Sequence, residues 1–376
     1  MAILDGVINI LLLLVILVAL VVIHEFGHFV MARRAKVRVH EFGIGFPPRA
    51  KVIGRDSETI YTLNWLPIGG FVRLEAEEGE SDDPRAFVNQ RLGTRLVILL
   101  AGVVMNILLA VLIFSLIAGF ADPVYNARIG SVQPDSPAAA VDLQGGQQVE
   151  TDPQGTPIYD DTGDLILAID GQRFAVFDHV GLTRDPPQSA YLRSRAGQPV
   201  VLTLQRADGS VQDVTVTLRP PGQPTEGVLG VVFNAFPLED VTRDPVDALA
   251  TGLRRTLDAS TLILRGLRDL ITNITNPQVS GPVGIVSTVG SFRSELPPIF
   301  MLWLIGLLSA NLAVVNALPF PPMDGGRVAV SLIQALSGNR VTPSVERFVY
   351  LAGFVLLMGL LVWITFFDVG LLQRRT

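Results

Sequence analysis

The chain contains 376 residues, 49% of them hydrophobic and only 17% charged, and its mean hydropathy of +0.44 points to a membrane protein rather than to water-soluble domains. A net charge of -6 gives no basic excess for phosphate, so no nucleic-acid partner is expected. The absence of cysteine excludes disulfide scaffolds, thiolate zinc sites and cysteine nucleophiles, leaving His, Asp and Glu to hold any metal.

The first apolar run extends from about Val7 to Ala32, is unbroken from Ile10 to Ile23, and is long enough to span a bilayer. Arg33, Arg34, Lys36 and Arg38 follow this run rather than precede it, which argues for a membrane span with a cytoplasmic C-terminal end and against a cleaved signal peptide. Residues 37–92 are polar and punctuated by Gly43–Pro48 and Leu66–Leu74, where Gly and Pro prevent a long helix and the residues between suit short strands in a small hairpin system. A second span, Leu96–Phe120, is interrupted only by Asn106 and Ser115. Between about Asp122 and Pro220 a soluble domain is expected. Val200–Arg206 and Val211–Leu218 alternate apolar and polar residues there, and Ala207–Ser210 joins them as a hairpin. From Asp244 to Asn273, Val246, Leu249, Leu253 and Leu257 begin a series at helical spacing, predicting one or two amphipathic helices against membrane or protein. The third and fourth spans are Ile299–Val315 and Phe348–Phe367, and four spans with a basic inner loop leave both termini outside the cytoplasm. Arg374 and Arg375 run against that balance, but a few late charges seldom override the first helix.

The chemistry begins at His24-Glu-Phe-Gly-His28. Residues four apart on a helix differ by about 40° around its axis, so both imidazoles can face one metal while the Glu25 carboxylate reaches its water. Two neutral imidazoles, an open position and a general base are what a zinc peptidase needs. A chance match of the pattern arises on the order of once in several hundred chains of this composition. Two His and a Glu placed at membrane depth shrink that alternative, because such polar groups are rare there without function. A third ligand at the spacing of soluble metzincins would need His at position 34, which is Arg. A better candidate is Asp324 in Asn316-Ala-Leu-Pro-Phe-Pro-Pro-Met-Asp-Gly-Gly326, whose prolines break the helix near the membrane, where irregular backbone must be buried or line a wet cavity. Alone it would read as a solvated Asp in a proline-rich exit loop; beside an incomplete metal site the ligand reading prevails.

With these residues in place, the chain resembles the site-2 protease family of intramembrane zinc metalloproteases, in particular the bacterial branch that activates envelope-stress sigma factors. The resemblance covers nearly the whole chain. His-Glu-x-x-His is followed by Gly69-Gly70-Phe71-Val72, Gly102-x-x-x-Asn106, a PDZ-like domain, Ser280–Ile285 and the Asn316…Asp324-Gly motif. It implies a polytopic α-helical membrane protein of about four transmembrane helices with a membrane-associated β-hairpin and an inserted extracytoplasmic PDZ-like α/β domain. The segments are residues 1–35 (first span), 36–92 (hairpin region), 93–121 (second span), 122–222 (PDZ-like), 223–296 (linker with amphipathic helices) and 297–376 (last two spans). The resemblance further implies Zn2+ held by His24, His28 and Asp324, Glu25 as base, and substrate or transition-state support from Asn316, Asn106, Gly69, Gly70, Phe71 and Val72. Its substrates would be single-span membrane proteins such as anti-sigma factors in the bacterial inner membrane, trimmed by a first extracytoplasmic cut.

The PDZ-like pattern rests on Ile129–Ala139 and Gly163–Gly171, and implies binding of a peptide or trimmed substrate tail. A polar insertion, Gln144–Thr162, interrupts it and bears on whether that groove is open. His179 and His40 read as surface or packing residues. Two rivals from other classes are a catalytically inactive scaffold and a metal transporter. The first would not need Glu25 together with both His and Asp324, and the second would need neither a base beside the ligand nor a peptide-binding domain.

Overall fold

The computed structural model describes residues 2–77, 81–151, 157–178, 187–220, 227–272, 281–337 and 342–373. The chain divides into two compact units, one built from residues 1–117 and 248–376 and the other from residues 118–247. His179, Ser280, Arg374 and Arg375 lie outside the described residues.

In the first unit a long helix α1 (Ala2–Arg34) leads into strands β1 (Val39–Arg55) and β2 (Ile60–Leu74), then helix α2 (Leu92–Phe120). Among the described residues, four helical stretches are long and apolar enough to cross a bilayer: Leu4–Arg34, Leu92–Phe120, Pro298–Ala317 and Ser344–Phe367. They coincide with the four runs expected from hydropathy. The last of them is largely exposed within the chain, and Leu351, Val355 and Phe366 are each more than 60% exposed, a surface suited to lipid and not to water.

The hairpin differs from expectation in length. Short strands were anticipated because Gly and Pro are dense here, yet β1 has 17 residues and β2 has 15. The breakers bend the strands instead of ending them. Residues 41–44 of β1 pair with 70–73 of β2 on one side and with 60–63 on the other, and 60–63 also pair with 51–55. Residues 70–74 therefore form an outer edge of the folded ribbon. The turn between the strands is tied to the end of α1: Asp56 accepts from the Glu58 and Thr59 amides at 2.8 and 2.7 Å and from Arg33 Nη1 at 2.8 Å. These bonds, the two backbone amides first, hold the Asp56 carboxyl well below the usual range.

The second unit comprises β3 (Asp122–Tyr125), β4 (Ala127–Val132), α3 (Pro137–Ala140), β5 (Gln148–Thr151), β6 (Pro157–Tyr159), β7 (Leu165–Ile169), β8 (Phe174–Ala175), α4 (Pro187–Ser194), β9 (Pro199–Gln205), β10 (Val211–Thr217), β11 (Val231–Ala235) and β12 (Leu238–Val241). An antiparallel sheet in the order β10-β9-β7-β4-β11 forms its body, beside a smaller sheet β12-β3-β8. The inward residues Val200, Leu202 and Leu204 of β9 join Ile129, Ile166 and Ile169 in the core, as the alternation in the sequence requires. The expected end of this domain at residue 222 is corrected by the pairing of β11 with β4 and of β12 with β3. Those two strands are short and follow a Gly- and Pro-rich stretch, so the sequence signals a linker where the sheet gains edge strands. Within the insertion Gln144–Thr162, β5 and β6 pair as a small ribbon.

The chain returns to the first unit through α5 (Pro245–Thr272), α6 (Pro282–Glu295), α7 (Pro298–Ala317), α8 (Asp324–Ser337) and α9 (Pro343–Gln373). The α5 helix is the amphipathic segment foreseen from Asp244 to Asn273, with Val246, Leu249, Leu253 and Leu257 on its exposed face.

Candidate metal centre

His24 and His28 lie one turn apart on α1, both buried, with ring centroids 4.8 Å apart. Their Nε2 atoms approach to 3.1 Å. Asp324, the first residue of α8, brings Oδ2 to 2.8 Å from His24 Nε2 and 3.2 Å from His28 Nε2. The donor atoms of His24, Glu25 and His28 also fall within 4.8 Å of one another. Glu25, however, turns its Oε2 to the Val72 amide, which donates at 3.1 Å, so Asp324 and not Glu25 closes the triangle.

The donor set fits a small, borderline-soft cation. Its sides of 2.8, 3.1 and 3.2 Å approach the spacing of about 3.3 Å between neighbouring ligands around tetrahedral zinc. His28 Nδ1 donates to the Ile98 carbonyl at 2.8 Å, which leaves the lone pair on Nε2, the atom facing the triangle. On the far side of His24, Asn106 is fully buried, with its side-chain nitrogen 3.2 Å from His24 Nδ1 and its main-chain carbonyl accepting from Ser309 Oγ of α7 at 2.8 Å. Asn106 thus stands behind His24 and is not among the residues lining the cavity that opens on the triangle.

Close packing of α1 on α2 brings these groups together. Gly27 of α1 faces the main-chain carbonyl of Ala101 on α2, so a Cβ there would strike it. A Cβ on Gly102 would lie 2.5 Å from His28 Nε2 and 2.7 Å from His24 Nε2, so no side chain fits there while the imidazoles keep these positions. The α7–α8 connection is equally tight, since a Cβ on Gly325 would strike the Ala317 and Leu318 carbonyls. That contact holds Asp324 against the end of α7.

A cavity of about 630 Å³ opens on the triangle. His24, Glu25, His28 and Asp324 line it together with Asn316 and with Gly70, Phe71, Val72 and Leu74 of the outer hairpin edge. Asn316 donates to its own helix at the Leu312 carbonyl, 3.0 Å away. Gly69 does not line the cavity; it takes a left-handed backbone, φ +73°, at the bend leading into that edge. His40 pairs with Glu75 at 2.7 Å, away from the cavity. Sequence reasoning missed Arg327 and Glu77, which also line it and pair at 3.0 Å. The only signal was the position of Arg327 three residues after Asp324, on the same helical face.

Residues 12–360 match the model of Peptidase family M50. The chain belongs to that family. It is a zinc metalloprotease of the site-2 protease type and, with its four apolar spans, an integral membrane protein. A Clostridium perfringens protein that carries a provisional zinc metalloprotease name is 31% identical over 357 residues, which cover 93% of this chain and 95% of that protein. Zinc metalloprotease RasP of Oceanobacillus iheyensis is 27% identical over 441 residues, 93% of this chain and 96% of its own length. Regulator of sigma E protease of Salmonella typhi is 28% identical over 437 residues, 91% and 94% of the two chains. Membership in the M50 family favours a protease over a metal transporter.

Proposed function

We propose that this chain cleaves a peptide bond within or beside the transmembrane helix of single-span proteins such as anti-sigma factors, after a first extracytoplasmic cut. The observation that carries this reading is the convergence of His24, His28 and Asp324, ligands up to 300 positions apart, at one end of an apolar span with Glu25 beside them. His24, His28 and Asp324 would hold the zinc. When bound, zinc supplies Lewis acidity, polarising the scissile carbonyl and making an attacking water acidic enough to react near neutral pH. Glu25 accepts the water's proton and delivers it to the leaving amine, while the Val72 amide fixes the carboxylate's position. A helical substrate hides its carbonyls in hydrogen bonds and must unwind before cleavage. The outer edge at residues 70–74 faces the cavity and offers backbone partners to an extended segment, with Asn316 supporting the carbonyl.

In this reading the protein lies in a bacterial inner membrane, with both termini and the unit Ala118–Asp247 extracytoplasmic and that unit PDZ-like. The basic residues at the end of α1 support the orientation. In intact cells a cysteine at Ser210 is expected to react with an impermeant maleimide, whereas one at Asp56 is not. Labelling at Asp56 alone would invert the topology.

The substrate class is tested with purified protein and single-span anti-sigma factors, full-length and trimmed. Trimmed substrate is expected to be cut and full-length substrate spared, because a folded outer domain is excluded by the PDZ-like unit. That unit begins and ends on adjacent strands, Tyr125 pairing with Leu238, so residues 126–237 can be replaced by a short flexible linker. The deletion is expected to admit the full-length substrate and to leave cleavage of the trimmed one unchanged. Weakened cleavage of both would mean that the unit recruits substrate by strand addition instead.

A further inference from the structure

The hairpin edge touches the catalytic centre at two points. One is the Val72 amide on Glu25 of α1, and the other lies five residues on, where Glu77 Oε2 accepts from Arg327 Nη1 at 3.0 Å. Arg327 sits one turn beyond Asp324 on α8, so the residue that grips the hairpin and the third metal donor share a helical face. Among the described residues lining the cavity it is the only Lys or Arg, in the company of Glu25, Glu77 and Asp324. Its guanidinium also lies 6.0 Å from the ring centre of Tyr350 on α9. The side chains of Arg327 and Glu77 are 37% and 28% exposed, so the pair is neither a freely solvated surface bridge nor fully desolvated.

We propose that Arg327 is a positioning residue of the protease, and that its ion pair with Glu77 fixes the hairpin edge at a set distance from the helix bearing Asp324. Three elements must agree for cleavage as proposed above, on which this inference rests: α1 supplies the base, α8 a donor, and the edge of β2 the track for the unwound substrate. Packing of glycines against backbone sets the two helices, whereas the exit of β2 meets α8 through this polar pair beside the apolar packing of Val328 on the cluster that holds Leu74. An edge displaced by about 1 Å would misplace both the substrate carbonyl and the amide that holds Glu25, a shift worth about a hundredfold in rate. Asp324 would keep its place, because the α7–α8 connection holds it independently.

The test is a double-mutant cycle on the full-length protein in lipid vesicles, with zinc content and cleavage of a single-span substrate read for each variant. Arg327→Gln and Glu77→Gln are each expected to lower kcat by about ten- to a hundredfold, with KM little changed and about one zinc per chain retained. The double variant is expected to be no worse than the poorer single one, because either change already breaks the pair. Arg327→Lys, which keeps the charge, should recover most of the rate. Unchanged rates in the single variants, losses that multiply in the double variant, or loss of zinc in Arg327→Gln would each overturn the proposal. If the unmodified enzyme does not cut the single-span substrate, the proposed substrate class fails instead, and the cycle is read on an unfolded soluble protein such as casein.

Discussion

Glu25→Gln is expected to keep about one zinc per chain and to lower proteolysis by about a hundred- to ten-thousandfold, the range of a lost general base. The amide has nearly the size of the carboxylate, so it preserves the packing beside Val72 while losing the ability to take a proton. His24→Ala and Asp324→Ala are expected to lose zinc and activity together, since each removes one corner of a triangle whose sides are 2.8, 3.1 and 3.2 Å. The comparison needs metal analysis and cleavage of a single-span substrate on the same preparations. Zinc lost equally from Glu25→Gln and Asp324→Ala would place Glu25 among the ligands and remove the assigned base.

A second large effect is expected at a residue with no chemistry of its own. Gly102→Ala adds one methyl group where the two ligand nitrogens already lie 2.5 and 2.7 Å from the ideal Cβ position. Relief requires α2 to withdraw from α1 or the imidazoles to turn, and either opens the triangle. Overpacking of this kind costs about 1–3 kcal/mol in stability, but the larger loss is expected in zinc, because ligand donors tolerate displacements of only about 0.2 Å. Metal content should fall well below one per chain, with helical circular dichroism unchanged. Gly93→Ala, on the same helix with open space around its Cβ position, serves as the control and should retain both zinc and activity. A Gly102→Ala protein that holds zinc as the unmodified one does would show that the seam between α1 and α2 has slack.

The readings that succeeded from sequence rest on periods shorter than the elements that carry them. His24 and His28 share a face because the helix repeats every 3.6 residues, and the four spans follow from uninterrupted apolar length. The β9–β10 ribbon follows from alternation around Ala207–Ser210. Asp324 was legible only as a candidate: its proline-rich context marks an irregular backbone near the membrane, but nothing local aims it at His24.

Tertiary packing decided what no local period encodes. The partner of His24 lies 300 residues away, and the approach that joins them depends on missing side chains at Gly102 and Gly325, which in sequence resemble any other glycines. Residues 41–44 pair with two different stretches of β2 because the prolines and glycines bend the strands rather than end them, a choice set by the packing of the ribbon on α1. The same holds for Arg327 and Glu77, two charged residues 250 positions apart that the fold pairs in the cavity lining. Local periodicity determined the elements and the shared face of His24 and His28, whereas steric fit between distant segments decided the approach of Asp324, the open strand edge and the residues that hold them in place.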